Sequence, residues 1–203
     1  MNPKEESAAV KLPLFSAAEG RVLGFWVFMA GEANLFASLL GTYMALRRQT
    51  AGGPGPQDLF SLEMVAAATF VLLTSSFTGA LATSSLRKGH IRPFQAWLLL
   101  TVALGEIFLF IQGYEFYEYL VHREFSWQTS AFGSAFYTLV GFHGLHVLFG
   151  VFWLFGLWTQ SFFWKKVTPE DLSRAWVAGL YWHFVDVVWI VIFTVVYLSG
   201  VVG

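Results

Sequence analysis

The 203-residue sequence contains no cysteine. Disulfide bonds, thiolate metal sites and cysteine nucleophiles are therefore excluded, and the redox compartment stays undetermined. Charged residues are also scarce: they make up 12% of the chain, about half the usual ~25% of soluble domains. With a formal net charge of −1, the chain lacks the basic surface that binding to nucleic acid requires.

Long apolar segments take the place of the missing charges. Hydrophobic residues make up 56% of the chain, and the charges cluster between five apolar stretches. Each stretch can cross a hydrocarbon core of about 30 Å as a helix, and none alternates as a transmembrane β-strand does. The sequence predicts an all-α, polytopic membrane protein, with a polar N-terminal tail over 1–20 and one transmembrane domain over 21–203. The predicted spans one to five cover about residues 22–46, 60–86, 93–120, 131–158 and 175–200.

The orientation follows from the lysines and arginines between the spans. If the N-terminus is cytoplasmic, three of these residues, Arg47, Arg48 and Arg123, lie on the outer side and nine on the inner side. Basic residues concentrate on the cytoplasmic side of membrane proteins. The sequence therefore predicts a cytoplasmic N-terminus and an outer C-terminus. The nine inner residues are Lys4, Lys11, Arg21, Arg87, Lys88, Arg92, Lys165, Lys166 and Arg174.

Three acidic residues fall near the middle of predicted spans: Glu32 in span one, Glu106 in span three and Asp186 in span five. A charged side chain at the bilayer centre costs roughly 2.5–3.5 kcal/mol on insertion scales, so such groups face the bundle interior and often mark a function. No lysine or arginine lies at a comparable depth. These acids are therefore expected to be protonated, to bond to histidine or to meet water.

Three histidines lie at the same depth, His143 and His146 in span four and His183 in span five. His183 and Asp186 are three residues apart and share one helix face, as do His143 and His146. Three interpretations stay open: hydrogen bonds between helices, proton handling, and metal binding. Metal binding is the least favoured, because no cysteine or His-Glu-x-x-His pattern is present. Two histidines on one helix face also cannot hold a haem from both sides.

Two further acids, Glu115 and Glu118, lie toward the predicted outer end of span three on one helix face. We expect them to be interfacial or to pair with a neighbour, for which His122 is a candidate. Tyr197, near the end of span five, is expected to anchor the chain at the outer interface.

Small residues recur four positions apart in two spans and predict close packing between helices of this chain. They are Ala33, Ala37 and Gly41 in span one, and Ser75 and Gly79 in span two.

Two motifs, GFHGLHV at 141–147 and YWHFVDVVW at 181–189, closely resemble subunit III of the haem–copper terminal oxidases. Two further stretches follow in that family's order: FMAGEANLF at 28–36, similar to its first shared helix, and LGEIFLFIQGYEFYEY at 104–119. The resemblance extends over about residues 21 to 200. It is to the bacterial five-helix form of the subunit, whereas mitochondrial-type members have seven helices.

The resemblance implies a cofactor-free accessory subunit, with haem and copper in partner subunits and no metal in this chain. Members of the family pack against the catalytic subunit I, in a complex with subunit II and smaller subunits, and bind phospholipid within the bundle. They support complex stability and proton uptake while the oxidase reduces oxygen to water. The implied location is the bacterial inner membrane.

Two other stretches, VYLSGVVG at 196–203 and SAFGSAFYTLVG at 130–141, look more like those of a bacterial cytochrome c oxidase of the caa3 kind. A quinol oxidase is the alternative, and a free-standing proton-coupled transporter is a more distant one. A transporter would usually show internal repeats or interrupted helices, and the sequence shows neither.

Residue by residue, the resemblance assigns Glu32 to the family's buried glutamate and His143 and His146 to its GFHGLH histidines. His183 and Asp186 match its WHFVD pair. These five residues are the predicted buried polar, proton-handling set, and no catalytic residue is expected. The secondary candidates are Glu106, Glu115 and Glu118.

We expect the histidines and Asp186 to form a hydrogen-bonded interior that holds spans one, four and five in register. Glu32 is expected to exchange a proton with subunit I or bound lipid, so Asp186→Asn is predicted to impair assembly more than Glu32→Gln. Glu106 and Asn34 depart from the family pattern, which has apolar or small residues at these positions.

Overall fold

A computed structural model of the chain describes residues 17–202, which form helices and connecting loops without a β-strand. Five helices are long and apolar enough to cross a membrane, so the prediction of an all-α, five-span protein is confirmed. The predicted N-terminal tail lies outside the described residues, except for 17–20, which open the first helix. In chain order the helices are α1 (Ala17–Leu46), α2 (Pro56–Leu59), α3 (Leu62–Arg87), α4 (Ile91–Val121), α5 (Ala131–Ser161), α6 (Pro169–Ile192), a π-helical segment (Phe193–Leu198) and α7 (Ser199–Val202).

The fifth span begins at Pro169, ahead of the predicted start near residue 175. Its first turn is closed by a capping box, in which Thr168 Oγ1 accepts a hydrogen bond from the backbone N–H of Asp171 at 3.2 Å. The Asp171 carboxylate accepts one in return from the N–H of Thr168 at 3.0 Å. Hydrophobicity locates only the apolar part of a helix, whereas capping of this kind extends the helix into a polar first turn.

Four of the long helices, α3, α4, α5 and α6, form a closed ring in which each packs against two neighbours. The first helix, α1, lies outside this ring against α5 and, over a shorter length, α6. Its small residues Ala33, Ala37 and Gly41 are exposed, so their predicted packing within the chain is wrong. Ser75 and Gly79 of α3 are buried between helices, as predicted.

Trp182 of α6 fills the centre of the ring. Its indole nitrogen donates a hydrogen bond to Ser75 Oγ at 3.0 Å. The indole ring lies against one glycine from each of the other three helices of the ring. A Cβ added at Gly105 of α4 or Gly150 of α5 would stand 2.8 Å from the ring, and one at Gly79 of α3 would stand 3.8 Å from it. The absence of a side chain at Gly105 and Gly150 therefore makes the space that Trp182 occupies.

Side-chain hydrogen bonds join α6 to α3 along their length. Trp182 of α6 bonds to Ser75 of α3, and Trp189, further along α6, bonds to Thr69, which lies earlier in α3. This opposite order is the one that antiparallel helices produce. A lipid core offers no partner for an indole N–H or an imidazole, so these bonds satisfy the polar groups and fix the relative height of the two helices. The bonded pairs are Trp182 with Ser75 at 3.0 Å, His183 with Ser76 at 2.6 Å and Trp189 with Thr69 at 2.9 Å.

A π-helical segment interrupts the end of the fifth span. A π-helical turn holds an additional residue, which changes the direction of the side chains that follow it. Tyr197, in this segment, points into the bundle and is fully buried. The prediction of Tyr197 as an interfacial anchor is therefore wrong, because its hydroxyl donates a hydrogen bond to the carboxyl group of Glu115 at 3.0 Å.

Replacing Gly150 with alanine is expected to destabilise the bundle, since the new Cβ would overlap the Trp182 ring. Overpacking of this kind costs about 1–3 kcal/mol. Gly156, on the same helix, has no atom within 4 Å of the position of an added Cβ, so Gly156→Ala is a matched control. We expect thermal unfolding in detergent to show a lower midpoint for Gly150→Ala alone. Equal midpoints for the two variants would contradict the packing described around Trp182.

Candidate functional site

Glu32 of α1 and His146 of α5 meet near the middle of their helices. Oε2 of Glu32 lies 2.9 Å from Nε2 of His146, and the two side chains are 19% and 16% exposed. On the other side of the imidazole, Nδ1 lies 2.7 Å from the carbonyl oxygen of Phe142. The ring of Phe36 packs edge-on against the imidazole at a centroid distance of 4.9 Å. This pair links the peripheral helix α1 to the ring of four helices.

The contacts of His146 define where its protons lie. A carbonyl oxygen only accepts hydrogen bonds, so Nδ1 carries a hydrogen and donates it to Phe142. If the imidazole is neutral, Nε2 has no hydrogen and the carboxyl group of Glu32 donates to it. If the imidazole is a cation, Nε2 donates to the carboxylate. In both cases one proton lies between Nε2 and Oε2.

His143, one turn before His146, is fully buried and takes no part in this arrangement. Neither of its ring nitrogens has a hydrogen-bond partner within the described residues. Its imidazole stacks on Trp189 at 5.0 Å and meets Phe108 edge-on at 6.0 Å. The predicted hydrogen bond across the bundle is therefore wrong for His143. Three residues along a helix leave two side chains about 60° apart, and here that rotation places His143 in the aromatic core and His146 against α1.

His183 and Asp186 share a helix face but differ in their contacts. Nδ1 of His183 lies 2.6 Å from Ser76 Oγ. Asp186 is 3% exposed, and neither of its carboxyl oxygens makes a hydrogen bond within the described part of the chain. Ser76 of α3 also lies beside Asp186, but outside hydrogen-bonding geometry. The prediction that Asp186 holds helices in register by hydrogen bonding is wrong, and the expectation that Asp186→Asn impairs assembly more than Glu32→Gln loses its basis.

Glu115 is a buried carboxyl group, so the interfacial alternative is wrong for it. It is 5% exposed and accepts one hydrogen bond on each oxygen, from the Tyr119 hydroxyl at 2.8 Å and the Tyr197 hydroxyl at 3.0 Å. Tyr119 is one turn along the same helix, a spacing that the sequence displays. Tyr197 reaches Glu115 from the far end of the chain through the π-helical segment, and no sequence signal indicates this contact.

The remaining candidates face away from the bundle. Glu118 lies 3.8 Å from His122, the partner expected from the sequence. Glu106 is exposed and forms no hydrogen bond or ion pair among the described residues. Asn34 is also exposed, and its amide donates to the carbonyl of Ala30 on its own helix at 3.1 Å.

These features define a class of protein: a polytopic helical membrane bundle with carboxyl and histidine side chains between its helices. No group of three or more histidine, aspartate and glutamate side chains in the described part of the chain is placed to hold a metal ion. Comparison with protein families makes the assignment specific. The family model for cytochrome c oxidase subunit III matches residues 6–201. The chain belongs to this family and is subunit III of a haem–copper oxidase.

Curated relatives agree with the family model and confirm the resemblance seen in the two histidine motifs. The chain is 47% identical to cytochrome c oxidase subunit 3 of Alkalihalophilus pseudofirmus, over 91% of this chain and 89% of the relative. It is 48% identical to the protein of the same name from Bacillus sp. strain PS3, over 91% and 88%. Quinol oxidase subunit 3 of Bacillus spizizenii is 44% identical over 90% and 88%. Relatives therefore include oxidases of both kinds.

Replacing Glu32 with leucine is expected to loosen α1, because Nε2 of His146 loses its partner on that helix. Removing one partner of a buried hydrogen bond costs about 1–3 kcal/mol. A glutamine side chain can donate to or accept from Nε2, so Glu32→Gln is expected to unfold close to the midpoint of the unaltered protein.

Thermal unfolding in detergent measures these differences. Asn34→Leu, two residues away on a different side of α1, is the control. Within the described residues Asn34 bonds only to its own helix, so its loss should leave the midpoint unchanged. A Glu32→Gln variant as unstable as Glu32→Leu would contradict the hydrogen bond described for the pair.

Proposed function

We propose that this chain is a cofactor-free accessory subunit of a proton-pumping haem–copper oxidase that reduces oxygen to water in aerobic respiration. In this proposal partner subunits hold the haem and copper, and the chain packs directly on subunit I, alongside subunit II and smaller subunits. Its location is the inner membrane of a bacterium, with a cytoplasmic N-terminus. The family match and the five membrane-spanning helices support this assignment.

The Glu32–His146 pair is the observation that carries the proposed role in proton uptake. The pair holds one proton in a half-buried position at the edge of the bundle. An apolar groove of about 260 Å³ runs beside His146 and is lined by Phe28, Phe142, Leu145, Phe149 and Tyr181. Ionisable groups within membrane spans are rare, and they often mark ion or proton pathways. The pair is therefore suited to exchange its proton with subunit I or with bound lipid.

Cytochrome c is the proposed electron donor. The two relatives named cytochrome c oxidase subunit 3 share 47% and 48% identity with this chain, whereas the quinol oxidase relative shares 44%. A quinol oxidase is the second candidate, because these identities are close and the matched lengths are similar. In either oxidase this chain keeps the same supporting role.

A groove between α3 and α6 is the proposed phospholipid site. It has a volume of about 310 Å³, and its lining includes Arg87, Trp176 and Leu180. Arg87 makes no ion pair within the described residues, so its guanidinium group is available to bind a phosphate. Tryptophan is favoured at the level of lipid headgroups, and the apolar wall suits an acyl chain. Arg174, near another groove, already pairs with Glu170 at 3.1 Å.

Purification of the tagged chain from its native membrane in mild detergent tests the proposed function. We expect a large catalytic subunit to co-purify, with a-type or b-type haem bands in the reduced-minus-oxidised spectrum. An additional c-type band would support cytochrome c as the donor. A colourless protein that purifies alone would overturn the proposal and favour the proton-coupled transporter, for which proton flux into vesicles is the assay.

Replacing Arg87 with glutamine is expected to reduce the phospholipid that co-purifies with the complex, since the phosphate loses its charged partner. Arg174→Gln is the matched control, because the charge of Arg174 is already balanced by Glu170. Mass spectrometry of extracted lipid measures the ratio of phospholipid to protein. Equal lipid ratios in the Arg87→Gln complex and the unaltered complex would exclude this groove as the headgroup site.

A further inference from the structure

Glu106 is a carboxyl group at the middle of the 31-residue helix α4 that faces out of the bundle. Its neighbours on the helix surface are apolar: Ile107 is exposed, and Phe110 is 77% exposed. The other two acids near the middle of a span differ from it: Glu32 is paired with a histidine, and Asp186 is turned inward. Among the residues that the structure describes, Glu106 is neither paired nor turned inward.

The depth of Glu106 excludes the usual surroundings of an exposed acid. The polar headgroups of a bilayer begin about 15 Å from its midplane, half of the ~30 Å core. Acyl chains offer no hydrogen-bond donor, so a carboxyl group directed at them is costly. The described residues supply no donor either, since Glu106 makes no hydrogen bond or ion pair with them. A donor from another polypeptide is the arrangement that satisfies the group.

The surface around Glu106 has the shape of a helix-docking face. Glu106, Phe110, Gly113 and Tyr117 follow one another at positions i, i+4, i+7 and i+11 and so share one side of α4. Gly113 has no atom within 4 Å of the position of an added Cβ. It leaves a notch between two exposed aromatic side chains, Phe110 and Tyr117. Small residues at such positions let the backbone of a second membrane helix approach closely.

We propose that this face of α4, defined by Glu106, Phe110, Gly113 and Tyr117, docks a transmembrane helix of another oxidase subunit. That helix presents a hydrogen-bond donor to Glu106 at the bilayer midplane: a lysine, arginine or histidine cation, or a neutral hydroxyl or amide. The inference rests on the proposed function, since it assigns one surface of this subunit to a contact within the complex.

Retention of the subunit in the purified complex tests the contact. Glu106→Leu removes the acceptor, and we expect the subunit to be held about three- to thirtyfold more weakly during detergent washing, the range for one interhelical hydrogen bond in a membrane. Glu106→Gln keeps an acceptor and should be retained better than Glu106→Leu. Glu118→Leu is the control, because Glu118 lies at the end of the same helix and pairs with His122.

If lipid covers the face instead, leucine suits it better than glutamate. Glu106→Leu would then be retained as well as the unaltered subunit, which would overturn the proposal. A complex in which the unaltered chain brings down no haem-bearing partner would count against the proposed function itself. The two failures are therefore distinguishable.

A second measurement does not depend on the stability of the Glu106 variants. The chain has no cysteine, so Phe110→Cys introduces a single thiol in the centre of the face. We expect a lipid-soluble maleimide to label this thiol in the dissociated subunit and at least tenfold more slowly in the intact complex. Equal labelling rates in the two states would show that no polypeptide covers the face.

Discussion

The structure depends on one constraint: a lipid core offers no hydrogen-bond partner, so a polar side chain inside it is satisfied only where another part of the protein supplies one. The fifth span meets this constraint through α3, where serine and threonine side chains accept from the indoles of Trp182 and Trp189. The same contacts place Trp182 between Gly105 and Gly150 and so set the distances between four helices. Because α5 is positioned in this way, His146 is directed toward α1, and the contact with Glu32 follows from the packing of the ring.

The hydrogen bonds between α6 and α3 and the contact between Glu32 and His146 have different roles. The bonds of Trp182 and Trp189 to α3 are buried within the ring of four helices. The Glu32–His146 pair lies at the margin of the bundle, half-buried, with a proton between its two groups. A rigid ring that carries a proton-holding pair on its edge fits a subunit that supports a catalytic neighbour. The outward direction of Glu106 fits the same description, since a subunit within a larger membrane complex has polar groups that are satisfied across its interfaces.

The sequence predicts those features that depend on composition and on spacing along one helix. The five spans, the position of Glu32 and Asp186 near the middle of their spans, and the contact of Glu118 with His122 belong to this group. Features that depend on how helices rotate against one another could not be predicted. Asp186 and His143 share a depth with possible partners, but depth does not say which neighbour a side chain faces. Tyr197 reaches Glu115 because the helix becomes π-helical at this point. The surrounding residues are almost all apolar, so the sequence has no periodic pattern from which a π-helical segment could be predicted.

The central claim is that the hydrogen bonds between α6 and α3 organise the bundle. A double-mutant cycle that combines Trp182→Phe with Ser75→Ala tests it most directly. Subtracting the stability change of each single variant from that of the double variant leaves the interaction energy between the two side chains. Thermal or chemical unfolding in detergent gives the four stabilities. The account predicts a favourable coupling of about 0.6–1.7 kcal/mol, the range for interhelical hydrogen bonds in membranes. A coupling of zero would contradict the claim that this bond joins the two helices.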